Sequence, residues 1–328
     1  MPVEAPVVVG ASRVRQILAL LLFLLCTSAL SAQPHPGRPL RIVTTAIGGG
    51  NDLVARLTAQ AFSERLGRTA IVDNRASSVI PGEIVARAAP DGDTLLVASN
   101  TLWLGPLLEK TPYDPFNDFA PVSLVAIAPV VLVVNPSLPA RGVAELITLA
   151  RSRPGSLDYA SNATGGSAHL AAELFKRMAG VDMVRVSYKG NAAALADLAG
   201  GRVHVMFGVA SAVTPLIPSG KLRALGVSSV RPSALFPGLP TIAASGVPGY
   251  ETAAYTGVFA PARTSGRIVD GFHRTIADTL KSTPVADRYL KAGMEPVGSS
   301  PGELRATMKS ETVRMAGVIR ELANGEDK

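Results

Sequence analysis

From residue 40 onward the apolar positions keep two rhythms in alternation. Short β-rich runs, apolar throughout or at every second position, give way to stretches where apolar residues recur every three or four. The first run covers residues 40–46. After Gly48, Gly49 and Gly50 a helix begins near Asn51, with Leu53, Val54, Leu57, Ala61 and Phe62 on one face and Gly67 as its stop. Further strands are read at 70–73, 94–99, 122–127 and 130–135, with helices at 82–89 and 143–151. The middle of the chain repeats the scheme: strands at 157–160, 183–187, 203–207 and 222–227, helices at 168–179 and 191–199. A strand at 253–260 precedes three helices at 265–281, 285–291 and 301–322. The last opens on Ser300-Pro301-Gly302-Glu303, a capping box with proline at the first helical position. Strands alternating with helices in this way predict α/β layers with mostly parallel sheets.

The first 32 residues follow a different pattern. Arg13 and Arg15 precede an apolar stretch at 17–25, followed by the small residues Thr27, Ser28, Ala29, Ser31 and Ala32. That is the order of a secretory signal, too short to span a bilayer as a mature helix. Residues 1–32 are therefore expected to be removed near Ala32, sending the chain to the periplasm. Cys26, the single cysteine, would leave with them; Leu24 and Leu25 before it lack the small side chains that lipid attachment wants. The mature chain then has no disulfide, thiol nucleophile or cysteine metal site.

Composition narrows the class. Of 328 residues 47% are hydrophobic and 17% charged, which excludes disorder and coiled coils, and the length suits two domains. The net charge is +7, or +6 without the leader, but no three Lys or Arg stand together. A dispersed basic surface, rather than a nucleic-acid patch, is the reading. Breaks at 135–139 and 250–255 adjoin strong β-runs, which suits two domains joined by paired strands.

Two turns carry the candidate chemistry. Gly48-Gly49-Gly50-Asn51-Asp52 lies between a strand and a helix, where backbone amides favour an anion; neither phosphate-loop nor dinucleotide spacing follows. Residues 161–169, Ser-Asn-Ala-Thr-Gly-Gly-Ser-Ala-His, are a second element of this kind, whose plainer reading is a helix capped by Ser167. His35, His169, His204 and His273 have no metal spacing, and no nucleophile elbow is present. The chain is read as a non-enzyme without cofactor or metal; a hydrolase or isomerase in the same cleft lacks an acid–base constellation.

Residues 48–56, 89–96 and 113–122, then 132–137, 169–175, 188–190 and 220–225, form an ordered set of motifs that resembles the Bug family, substrate-binding proteins of tripartite tricarboxylate transporters. The resemblance runs from about Pro39 to Leu322. It implies a two-lobed periplasmic binding protein of type II-like α/β fold, two α/β domains joined by strand crossovers, closing on a small carboxylate for delivery to the transporter's membrane subunits. Lobe 1 is expected at 33–136 plus 256–328 and lobe 2 at 137–255. The chain is taken as a monomer with no nucleic-acid partner; a periplasmic sensor feeding a signalling partner is the rival role. Carried over by position, the ligand is held by Ile47, Gly48, Gly49, Gly50 and Asn51 and by Ala163, Thr164, Gly165, Gly166, Ser167, Ala168 and His169. Ser99, Asn100, Thr101 and Tyr188 form a further wall, and Gly208 is counted among the ligand-binding positions. Three departures stand out: Thr45, Ala46 and Ile47 replace prolines, 74–80 reads Asn-Arg-Ala-Ser-Ser-Val-Ile instead of a glycine-rich stretch, and Gly208 replaces an acid after Met206-Phe207.

Overall fold

The computed structural model describes residues 38–161, 166–188 and 190–325. The leader, residues 1–32, lies outside them. Strand β1 (Leu40–Thr44) runs parallel to β2 (Ala70–Asn74) and β3 (Thr94–Ser99), each followed by a helix: α1 (Gly50–Leu66), α2 (Ile80–Ala86) and α3 (Thr101–Leu108). Gly67, at φ 61°, ends α1 in the left-handed region that glycine enters freely. The next strand, β4 (Phe119–Val134), leads into α4 (Val143–Ser152). The second set is β5 (Asp158–Ser161), α5 (Ser167–Ala179), β6 (Val184–Ser187), α6 (Asn191–Ala199), β7 (Val205–Val209), α7 (Ala210–Val213) and β8 (Arg223–Val227). Then β9 (Ala253–Pro261) returns the chain to β3 and β4, before α8 (Gly266–Leu280), α9 (Thr283–Lys291), the short β10 (Glu295–Pro296) and α10 (Pro301–Gly325).

Two corrections to the pattern reading concern β4. It is one strand of 16 residues where the sequence suggested two, and the sheets are mixed rather than mostly parallel. Among the described residues β4 is antiparallel to each of its partners, β7, β8, β9 and β10, and β3 is antiparallel to β9. Pro121 and Pro129 precede the two predicted stretches, and proline removes a ladder donor. The strand accommodates both. A register shift follows Pro121, and Pro129 occupies the last β9 pairing, opposite Ala253. From Val130 the strand pairs with β7 and β8 instead. Pro129 thus sits where one set of partners ends and the next begins.

Alternation along β4 sends successive side chains to different cores. Val131 and Val133 join a cluster with Leu198 of α6 and Met206 of β7, whereas Val130, Leu132 and Val134 join the largest cluster. Val125 belongs to a third, with Val54 and Phe62 of α1 and Phe272 of α8. Helix α10 touches α3, α5 and β4, burying Leu304, Met308, Met315, Val318 and Ile319 in the largest cluster. Its start is the capping box read from sequence: Ser300 donates its amide to Glu303 Oε2 at 2.8 Å, and the Glu303 amide donates to Ser300 Oγ at 3.3 Å.

Helix α3 has no counterpart in the pattern reading, and it contains Gly105-Pro106, a pair that locally disfavours a helix. It forms nonetheless around three buried residues, Leu102, Trp103 and Leu104, and ends with the Glu109 amide donating to the Gly105 carbonyl. Burial of Trp103 outweighs the one backbone donor that Pro106 lacks.

Candidate functional site

Two chambers of about 390 Å³ and 510 Å³ adjoin one another, with Ser99 and Ala254 in the walls of both. The larger is lined by the glycine turn, Gly48, Gly49, Gly50 and Asn51, together with Thr45 and Thr256. The smaller is lined by Asn100 and Thr101, which follow β3, and by Gly166 and Ser167 at the start of α5. Asn162, Ala163, Thr164 and Gly165 lie outside the described residues.

The glycine turn is held from both sides. Gly48, at φ +85°, takes a backbone conformation that a side chain would strain, and its amide donates to Asp52 Oδ2 at 3.0 Å. Asp52 is buried. Burial works against its charge, but Arg56 at 3.0 Å, the Gly48 amide and Asn74 at 2.8 Å outweigh that penalty and hold its carboxyl below the usual range. The acid at this helix start is therefore spent inside the protein. Asn51 donates to Thr45 Oγ1 and accepts from Thr256 Oγ1, each at 3.3 Å, which ties the turn to β9.

Both helices facing the chambers begin without a side-chain cap. Gly49 is the N-cap of α1 and Gly166 that of α5, so early-turn amides have no capping oxygen from their own N-cap residue. Ser167, read as a capping residue in the plainer interpretation, is instead the first helical residue and makes no cap hydrogen bond. That is a correction: extended backbone at Gly166 moves the cap one position back. A Cβ on Gly49 would meet only the Ala46 carbonyl, at an ordinary 3.8 Å.

The remaining candidates divide. Ser99 Oγ and Thr101 Oγ1 lie 3.0 Å apart at the smaller chamber. Asn100 is buried, and its side-chain amide donates to the Ala253 carbonyl at 3.1 Å and to Glu311 Oε1 at 2.8 Å. Ile47 is 75% exposed and lines neither chamber. Ala168 and His169 are buried behind the α5 start; burial first, and then the nearby Arg185 charge, lower the His169 pKa to about 4. Tyr188 donates its hydroxyl to Asp197 at 2.9 Å, away from both chambers. A Cβ on Gly208 would run into Val213, which accounts for the missing acid on β7: the room it needs is filled.

One residue beneath the site escaped the sequence reading. Glu311 is fully buried, taking Asn100 Nδ2 on one oxygen and Trp103 Nε1 on the other, both at 2.8 Å. Burial lifts its pKa to about 7, despite those two donors. Its signal was present: it interrupts the apolar stripe Leu304, Met308, Met315, Val318 at a position that faces the core.

Comparison with known proteins places this geometry in context. Residues 54–324 match the model of the tripartite tricarboxylate transporter family receptor. Protein BugT of Bordetella pertussis is 37% identical over 298 residues, covering 89% of this chain and 91% of BugT. The structure of R. palustris Rpa4515 with adipate is 38% identical, with a TM-score of 0.72 over 88% of this chain and 98% of that one. MatC from Rhodopseudomonas palustris with bound malate is 29% identical, with a TM-score of 0.68 over 87% of this chain and 100% of that one. The periplasmic binding protein BugD is also 29% identical, with a TM-score of 0.68 over 88% of this chain and 99% of that one.

Proposed function

The chain belongs to the tripartite tricarboxylate transporter receptor family, and from that membership we propose that it captures a small organic carboxylate in the periplasm and passes it to the transporter's membrane subunits. It performs no chemistry on the ligand. The carboxylate sits at the junction marked by Ser99 and Ala254, between the glycine turn and the start of α5. The observation that carries this reading is the pair of helix starts, α1 and α5, that face adjoining chambers with glycine N-caps. Carboxylate ligands in the similar proteins, adipate in Rpa4515 and malate in MatC, support the ligand class. The N-terminal pattern of Arg13, Arg15 and residues 17–32 supports export.

The strand pairing supports a division into two lobes. Lobe 1 carries the glycine turn, lobe 2 carries the α5 turn, and β4 and β9 join them. The boundaries proposed from sequence, near residues 136 and 256, are supported by the change of β4 partners at Val130 and the return through β9.

Titration calorimetry with malate and adipate, beside thermal melts of the empty protein, tests the site. Hydrogen bonds to a charged group contribute about 1.5–3 kcal/mol, roughly ten- to a hundredfold in affinity. Ser167→Ala and Gly49→Val should each weaken binding by about tenfold or more while the empty protein melts as before. Unchanged affinity in both variants would move the site away from these turns.

A further inference from the structure

The smaller chamber is not polar throughout. One face of α3 forms a wall of it: Thr101, Leu104, Gly105 and Leu108 recur at the spacing that keeps residues on one side of a helix. Beyond the polar groups of Ser78, Ser99, Asn100, Thr101, Tyr113 and Ser167, the chamber wall carries the hydrocarbon of Leu104 and Leu108, extended by Val79 and Leu170. Val79 comes from the 74–80 segment, where the family resemblance led one to expect glycines. A bulkier residue there makes the chamber more apolar. Gly105 adds room, since a Cβ at that position would meet nothing within 4 Å.

Charge points the same way. Among the described residues, no Lys or Arg lines either chamber, and the single lining carboxylate is Glu109. Glu109 follows the last turn of α3, whereas Ser99 stands before its first. An eight-residue helix separates them by about 12 Å. A ligand lying along α3 with its carboxylate at Ser99 therefore points its other end toward an acid.

We infer that the ligand is a carboxylate whose far end is an uncharged apolar chain or ring lying along α3. This rests on the carboxylate reading above and narrows it. A short hydroxylated diacid leaves the apolar wall uncovered, and a longer diacid brings its second charge toward Glu109.

Calorimetric titration of the purified protein with acetate, butyrate, hexanoate, octanoate, phenylacetate, malate and adipate tests the inference. Each buried methylene strengthens binding about fourfold, equivalent to about 0.8 kcal/mol, until the chamber is full. Hexanoate should exceed acetate by at least about tenfold on that basis, and should exceed adipate, its diacid of equal length. Leu108→Asn, at a partly exposed position that tolerates a polar side chain, should lower hexanoate affinity by about threefold or more. Glu109→Gln should narrow the gap between hexanoate and adipate. Affinity independent of chain length, or malate and adipate binding more tightly than hexanoate, overturns the inference and leaves the carboxylate reading standing. If none of the seven binds, both fall together.

Discussion

Glu311 and His169 are buried ionisable groups with opposite effects on stability. Glu311 keeps its proton in the folded chain up to about pH 7, against an ordinary value of 4.5, because burial disfavours its charge. The unfolded chain releases that proton first. Its contribution to stability is thus full below pH 4.5 and is lost as pH rises through about 7. His169 works the other way. Its value falls from 6.5 to about 4, so its contribution is full above pH 6.5 and is lost as pH falls through about 4. The two limbs oppose each other across the same window. In urea melts between pH 4 and 8, Glu311→Gln should leave stability rising with pH, and His169→Asn should leave it falling. A slope unchanged from the parent protein in either variant would show that the group does not titrate in this window. Glu311→Gln also replaces one acceptor by a donor facing Asn100 or Trp103, so a loss of about 1–3 kcal/mol is expected below pH 4.5.

The crossing of β4 from one set of partners to the other depends on Ser228, just after β8. Its hydroxyl accepts the Val130 amide at 2.9 Å and donates to the Thr252 carbonyl, while its own amide donates to the Val130 carbonyl. Val130 directly follows Pro129, which offers no amide, so the ladder has little redundancy here. Ser228 is fully buried, and no solvent replaces its hydroxyl if it is removed. Ser228→Ala should therefore cost about 1–3 kcal/mol, read as a lower denaturation midpoint with an unchanged m-value. A neutral substitution would mean that water or a backbone shift satisfies Val130. Helix α3 teaches a related lesson: Gly105-Pro106 looks like a break because local propensity is all that a short window contains. Trp103 and its bond to Glu311, 208 positions away in the chain, override that propensity.

The whole molecule joins two groups of strands through β4 and β9, and the two candidate turns belong to different groups. A ligand held by both should draw them together. Solution scattering should then give a smaller radius of gyration at saturating adipate or hexanoate than without ligand. Superimposable profiles at saturation would argue for a cleft that is already closed.

What was legible in the chain was what local rules govern. The glycine turn, the Gly67 stop, the Ser300–Glu303 capping box and most strands and helices follow from periodicity and from backbone preferences acting over a few residues. The ordered motifs between Pro39 and Leu322 were also legible, and they pointed to the family. Tertiary packing decided the rest. Whether Pro129 breaks a strand depends on where that strand changes neighbours, and whether α3 forms depends on a buried carboxylate from the far end of the chain. Gly208 looked like a lost acid until Val213 was seen to fill its space, and His169, beside a candidate binding turn in sequence, faces the core. Each of these outcomes is set by contacts between residues far apart in the chain, which no local pattern encodes.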